Sequence, residues 1–162
     1  MEDTAIIVLV LVTGLSAGLC FNWSNTVTPG IGRLDDFGYL QSFQQMNRAI
    51  LNPLFFVVFF GPFFVNLVTI YLFKNQSSPL LWLLAIAGSI YFVGVLLITL
   101  FGNVPLNEIL DKKDLSIAST GELKQLREAF EVKWNRFHLI RTISSLVSFL
   151  LLLITLSQNI KQ

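Results

Sequence analysis

The sequence predicts an all-α fold: an integral membrane up-down four-helix bundle with an interfacial amphipathic helix and a cytoplasmic helical extension of the fourth span. Three observations carry this. Of 162 residues, 54% are hydrophobic and 13% charged, where a soluble domain carries about 25% charged residues. The 11 basic and 10 acidic residues are clustered, leaving four stretches (4–23, 53–73, 79–101 and 137–157) almost free of charge. Each comes close to the ~20 residues that a helix needs to cross ~30 Å of hydrocarbon. Residues 1–162 therefore read as a single membrane domain, because so few charges could not cover the surface of a soluble globule.

The first span follows Glu2 and Asp3. A cleaved signal peptide would begin with a basic segment, so this span is expected to stay in the mature protein. Cys20 is preceded by Leu19, where a lipoprotein cleavage site would carry a small residue, so no lipid anchor is expected. Gly14 and Gly18 would let another helix approach closely, inside the bundle or in a homo-oligomer. Pro29 is expected to follow the first span and Pro105 to end the third. Pro53 and Pro79 open the second and third spans at first-turn positions, where a proline's missing N–H costs nothing. Pro62 lies inside the second span and predicts a kink.

Between the first two spans Leu34, Phe37, Leu40, Phe43, Met46 and Ile50 recur at steps of three or four, with Gln41, Gln44, Gln45 and Arg48 among the intervening positions. This is the pattern of an amphipathic helix at the membrane surface, and Asp35 and Asp36 favour its N-terminus. Between the third and fourth spans the run Asp111-Lys112-Lys113-Asp114 reads as a solvated turn. Ser119 and Glu122 have capping-box spacing. Leu123, Leu126, Phe130, Trp134 and Phe137 then carry a helical stripe toward the fourth span, predicting one unbroken helix.

Four spans put both termini on one side. Arg33, Arg48, Lys112, Lys113, Lys124, Arg127, Lys133, Arg136 and the boundary Arg141 fall on the side of the long connections, and Lys74 and Lys161 on the other. By the positive-inside rule the connections are predicted to be cytoplasmic and the termini outside, in the plasma (inner) membrane. The sequon Asn75-Gln76-Ser77 then falls outside. A net charge of +1 gives no basic face for nucleic acid. One cysteine, Cys20, and one histidine, His138, offer neither an internal disulfide nor a His/Cys zinc site, so no metal is expected.

Folding the spans up and down brings the uncommon polar residues to one depth. Asn22 and Ser24 end the first span; Asn47, Arg48 and Asn52 precede the second; Asn103 and Asn107 end the third; His138 and Arg141 begin the fourth. Asn103 and Asn107 are four apart, and Trp134, His138 and Arg141 follow i, i+4, i+7, so each set shares a helix face. Faces turned inward would make a polar pocket at that end of the bundle. Ionisable groups within a span are functional candidates by default, yet Arg141 could equally snorkel to headgroups and His138 cap a carbonyl. Asn103 and Asn107 could equally join helices without chemistry, and Asn66 reads as a packing bond. Phe55, Phe56, Phe59, Phe60, Phe63 and Phe64 could wall an aromatic-binding cavity, though core packing explains most of them.

The blocks Gly18-Leu19-Cys20-Phe21-Asn22-Trp23-Ser24 with Pro29-Gly30, Met46-Asn47-Arg48-Ala49-Ile50-Leu51-Asn52-Pro53, Asn103-Val104-Pro105-Leu106-Asn107, and Trp134 with Arg141-Thr142 resemble the anthrone oxygenase-like family of small four-span membrane proteins. The resemblance covers nearly the whole chain. It implies oxidation of anthrones to anthraquinones by molecular oxygen with no metal or flavin, hence no cofactor. Such chemistry needs a base, for which His138 with an ordinary pKa of ~6.5 is the candidate. It also needs cationic or amide donors to hold an enolate. The catalytic candidates are His138, Arg141 and Arg48; the substrate-binding candidates are Asn22, Asn47, Asn103, Asn107 and Trp134. The expected partners are the lipid bilayer and a lipophilic aromatic or quinone-like small molecule. The alternative is a non-catalytic membrane protein that binds a lipid, quinone or haem, or scaffolds another protein. A transporter fits less well, since there is no inverted repeat.

Overall fold

A computed structural model of the chain describes residues 2–75 and 78–160; Gln76 and Ser77 of the sequon, and Lys161, lie outside them. Among the described residues every regular element is helical. Helix α1 spans Glu2–Ile31, α2 Asp36–Ile50, α3 Pro53–Leu72, α4 Pro79–Asp111 and α5 Thr120–Asn159. All but α2 are long and apolar enough to cross a membrane, which makes the chain an integral membrane protein. The four spans close into a ring, α1 beside α3, α3 beside α4, α4 beside α5 and α5 beside α1.

Bonds between neighbouring helices set their directions. Asn159 Nδ2 donates to Asp3 Oδ1 (2.8 Å) at one end of α1 and α5, while His138 Nε2 lies 3.1 Å from the Cys20 carbonyl oxygen at the other. Asn66 Nδ2 donates to Leu84 O (3.1 Å) and the Tyr91 hydroxyl to Phe59 O (2.8 Å), so α3 and α4 also run antiparallel. The bundle is therefore up-down, as the hydropathy pattern predicts. Its outer face carries Leu11, Leu15, Val57, Trp82 and Phe101, each at least 60% exposed. In water such a belt would drive aggregation; in hydrocarbon it matches the solvent.

Helix closeness depends on missing side chains. A Cβ at Gly102 would stand 2.7 Å from the Phe137 ring, so glycine lets α4 approach α5 there. Gly14 likewise faces Phe149 on α5, whereas Gly18 meets nothing within 4 Å. Gly14 thus serves packing within the bundle.

Two expectations about proline are corrected. Neither Pro29 nor Pro105 lies beyond its helix. In both places the helix first widens into a π-turn, Trp23–Val27 in α1 and Thr99–Asn103 in α4. The Thr28 N–H there bonds Trp23 O and the Val104 N–H bonds Thr99 O. The α register then restarts, and each proline falls in the first turn of the restarted segment, where no N–H is required. Pro62 is buried within α3, which runs through it.

The Asp35 carboxylate caps α2 by accepting the Gly38 N–H (2.8 Å). Leu40 and Phe43 of the predicted stripe are fully buried, but Leu34 is exposed and Tyr39 and Gln44 are buried in addition. The reason is that α2 packs on protein as well as lying at an interface. Tyr39, Leu40 and Phe43 share a core with Leu110, Leu115, Leu123, Phe130 and Trp134. Gln44 turns inward so that its Nε2 donates to Leu110 O (2.8 Å) and Lys113 O (2.9 Å), satisfying carbonyls at the end of α4. Burial pushes the Tyr39 phenol pKa up; the Glu131 carboxylate adds to this and Arg127 opposes it. Arg127 also clamps the turn before α2, donating to Gly32 O (2.8 Å) and Leu34 O (2.9 Å). The Ser119–Glu122 capping box opens α5, which continues unbroken for 40 residues.

Candidate functional site

All five helices contribute to a cavity of about 320 Å³ at the end of the bundle that carries the long connections. Its walls are Leu19, Cys20 and Trp23 of α1, Asn47, Arg48 and Ile50 of α2, Phe55 of α3, Thr99, Asn103 and Asn107 of α4, and Trp134, His138 and Arg141 of α5. The volume lies within the ~300–1,000 Å³ typical of small-molecule sites. Of the three π-turns among the described residues two adjoin it, since Trp23, Thr99 and Asn103 belong to them, while the third, Phe92–Leu97 in α4, does not. An extra residue in a helical turn re-aims the side chains around it, and such turns recur at functional sites.

Of the eight residues singled out from sequence, seven line this cavity and Asn22 does not. Asn22 is exposed. Cys20 and Trp23 turn toward the cavity with Leu19 at its exposed edge, and the ~100° helical step carries Asn22 away from it. Arg48 lines the cavity but is not a free cation. Its Nε donates to Asp111 Oδ1 at 2.7 Å, with both side chains about half exposed (52% and 48%). Of the six phenylalanines considered, only Phe55 reaches the cavity, while Phe59 is buried in the core.

His138 is 4% exposed. Because a carbonyl oxygen can only accept, the 3.1 Å contact to Cys20 O puts the proton on Nε2 and the lone pair on Nδ1. Nδ1 is buried and has no partner among the described residues. The imidazole stacks on Trp134 (centroids 4.9 Å apart, 19° between planes) and meets the edge of Trp23 (6.4 Å, 61°). Trp134 is itself fixed, since its Nε1 donates to Asn107 Oδ1 (2.8 Å). Asn103 Nδ2 donates to Trp134 O (3.2 Å), which leaves Asn103 Oδ1 unpartnered.

Arg141 Nε, Asn47 Nδ2 and Trp23 Nε1 are also buried without a partner. Among the described residues no carboxylate pairs with Arg141. Among the described residues the cavity therefore carries three donor atoms without a partner (Arg141 Nε, Asn47 Nδ2, Trp23 Nε1) and two such acceptors (Asn103 Oδ1, His138 Nδ1). An unsatisfied buried polar group costs about 1–3 kcal/mol, and five of the eight such side-chain atoms among the described residues gather at this one cavity.

Trp23 and Thr99 also line the cavity, and the sequence reading did not single them out. A signal for both exists: each stands six residues before a proline that its helix runs through, Trp23 before Pro29 and Thr99 before Pro105.

Comparison with protein families finds a match to the family described as Anthrone oxygenase over residues 55–151, which takes in α3, α4 and the cavity side of α5. No curated protein and no solved structure matches the chain.

Proposed function

The chain belongs to the anthrone oxygenase family, and from that premise we propose that it is a cofactor-independent oxygenase acting on a lipophilic aromatic, quinone-like molecule held in the cavity. The observation that carries this reading is the pairing, in one cavity, of a cation with no carboxylate partner among the described residues (Arg141) and a buried ring nitrogen with no hydrogen-bond partner among them (His138 Nδ1). His138 Nδ1 removes a proton from a C–H flanked by aromatic rings and conjugated to a ketone. The electron pair moves onto the ketone oxygen. Arg141, with Asn47 Nδ2 and Trp23 Nε1, supplies the donors that hold this oxyanion in a site of low dielectric. Cys20 O, accepting the Nε2–H, steadies the imidazolium as it forms.

The carbanion reduces dioxygen and bonds to it, giving a peroxide anion that takes back the proton from His138. Loss of water from the hydroperoxide leaves the second carbonyl, so CH₂ and O₂ become C=O and H₂O. Trp134 and His138, stacked on one another, give the cavity an aromatic side against which a fused ring system packs, and Asn103 Oδ1 accepts a substrate hydroxyl. By the distribution of basic residues, the cavity lies at the cytoplasmic face of the plasma (inner) membrane, with both termini outside.

Oxygen consumption with an anthrone, measured in nanodiscs, tests the proposal. Wild type should exceed background, and His138→Ala and Arg141→Ala should fall toward it. Equal rates for all three at the uncatalysed background would leave a protein that binds its ligand without turnover.

A further inference from the structure

The exposed residues of the cavity lining fall into two unlike parts. One is apolar and outward: Leu51 (65% exposed) and Leu19 (37% exposed) flank Phe55, where α1 meets the junction of α2 and α3. The other is charged, with Arg48, Glu108, Asp111 and Lys112 drawn from α2 and the end of α4. Across that charged rim the Arg48 guanidinium reaches Asp111, 63 residues away, at 2.7 Å.

We infer that the cavity has two openings of opposite chemistry: one at Leu19, Leu51 and Phe55 that takes apolar ligands directly from the bilayer, and one toward water that the Arg48–Asp111 ion pair latches. An apolar frame excludes charged solutes, because burying a charge among leucines costs far more than burying a ring. The latch is weak by its position. Its partners are about half exposed, and an exposed ion pair contributes little and is screened by salt. It therefore stays closed at low salt and opens as salt rises, admitting water-borne solutes only then, while a membrane-dissolved ligand enters by the other opening. Arg48 thus acts at the mouth, which accounts for its place in the lining and for its being paired. The inference concerns access alone, so it is separable from whether the cavity turns a substrate over.

Tryptophan quenching tests it. Trp23 and Trp134 line the cavity, and Trp82 is exposed on the outer face; Trp82→Phe leaves the two cavity reporters. In nanodiscs at low salt, naphthoquinone should quench them saturably and its water-soluble sulfonate at least about threefold less, the factor expected of an exposed ion pair. High salt and, separately, Asp111→Asn should each raise sulfonate quenching about threefold and leave naphthoquinone unchanged. Leu51→Lys, or Leu51→Gln if the lysine variant loses helix content, should weaken quenching by naphthoquinone only. Sulfonate quenching equal to that of naphthoquinone in the starting protein, or unmoved by either salt or Asp111→Asn, overturns the latch. Naphthoquinone quenching that is absent, or indifferent to the Leu51 variant, overturns the lipid opening.

Discussion

Replacing Arg141 by alanine should cost function and not stability, because the structure gives its side chain no protein partner to lose among the described residues. In the free protein Arg141 has no ion-pair partner among the described residues, and its Nε is buried without a hydrogen bond. Its removal strands no other group. A charge inside a span disfavours insertion by about 2.5–3.5 kcal/mol at the helix centre and less toward the ends, so Arg141→Ala should leave unfolding unchanged or slightly harder. With a ligand oxyanion present the sign reverses. Losing a charge-assisted hydrogen bond removes about 1.5–3 kcal/mol, which is roughly 10- to 150-fold in affinity or rate. Arg141→Lys should recover only part, since it restores the charge without the planar fork. The assays are thermal unfolding in detergent and, in nanodiscs, oxygen uptake with an anthrone beside binding of the corresponding quinone. An Arg141→Ala protein that unfolds more easily yet binds and turns over normally would refute the reasoning and make Arg141 a structural residue.

His138→Ala should abolish oxygen uptake while changing quinone affinity by no more than about threefold, because the base acts in the step and not mainly in binding. The wild-type rate should fall as the solution is acidified, since a protonated Nδ1 cannot accept; a His138→Ala residual rate with the same acid limb would exclude His138 as its origin. Tyr91→Phe removes a hydroxyl that donates to Phe59 O (2.8 Å) and accepts from Ser16 (2.6 Å). Interhelical bonds in membranes average about 0.6 kcal/mol and reach about 1.7, so a loss of about 1–2 kcal/mol is expected in unfolding from mixed micelles. Gly102→Ala places a methyl against the Phe137 ring and should destabilise by about 1–3 kcal/mol. Phe137→Leu should relieve part of that cost if the clash is its cause, and none if it is not.

Much of the architecture is legible in the chain itself. The four spans, the α2 helix and the unbroken α5 follow from hydropathy, period and capping, which depend on residues within a turn or a membrane thickness of one another. The Ser119–Glu122 box is one such local device. The common depth of Asn103, Asn107, Trp134, His138 and Arg141 follows as well, because up-down connection fixes depth once span boundaries are known. The resemblance first read from short polar blocks agrees with the family match over residues 55–151.

What the sequence could not decide lies in pairings across distance and in departures from the ideal helical turn. Asn22 and Trp23 are adjacent and both polar-edged, yet the α1 face that meets α5 admits only Trp23 to the cavity. Arg48 reads as a free cation until the end of α4 brings Asp111 to it. Gln44 reads as surface until Leu110 O and Lys113 O need a donor. Pro29 and Pro105 read as helix ends because a straight α-helix cannot carry them, and the π-turns that do carry them have no period of their own to detect. Hydropathy sums over neighbours in the chain and so survives without a fold. The state of His138, with one nitrogen held by Cys20 O and the other left free, is set by a helix 118 residues away and exists only once α1 and α5 have packed.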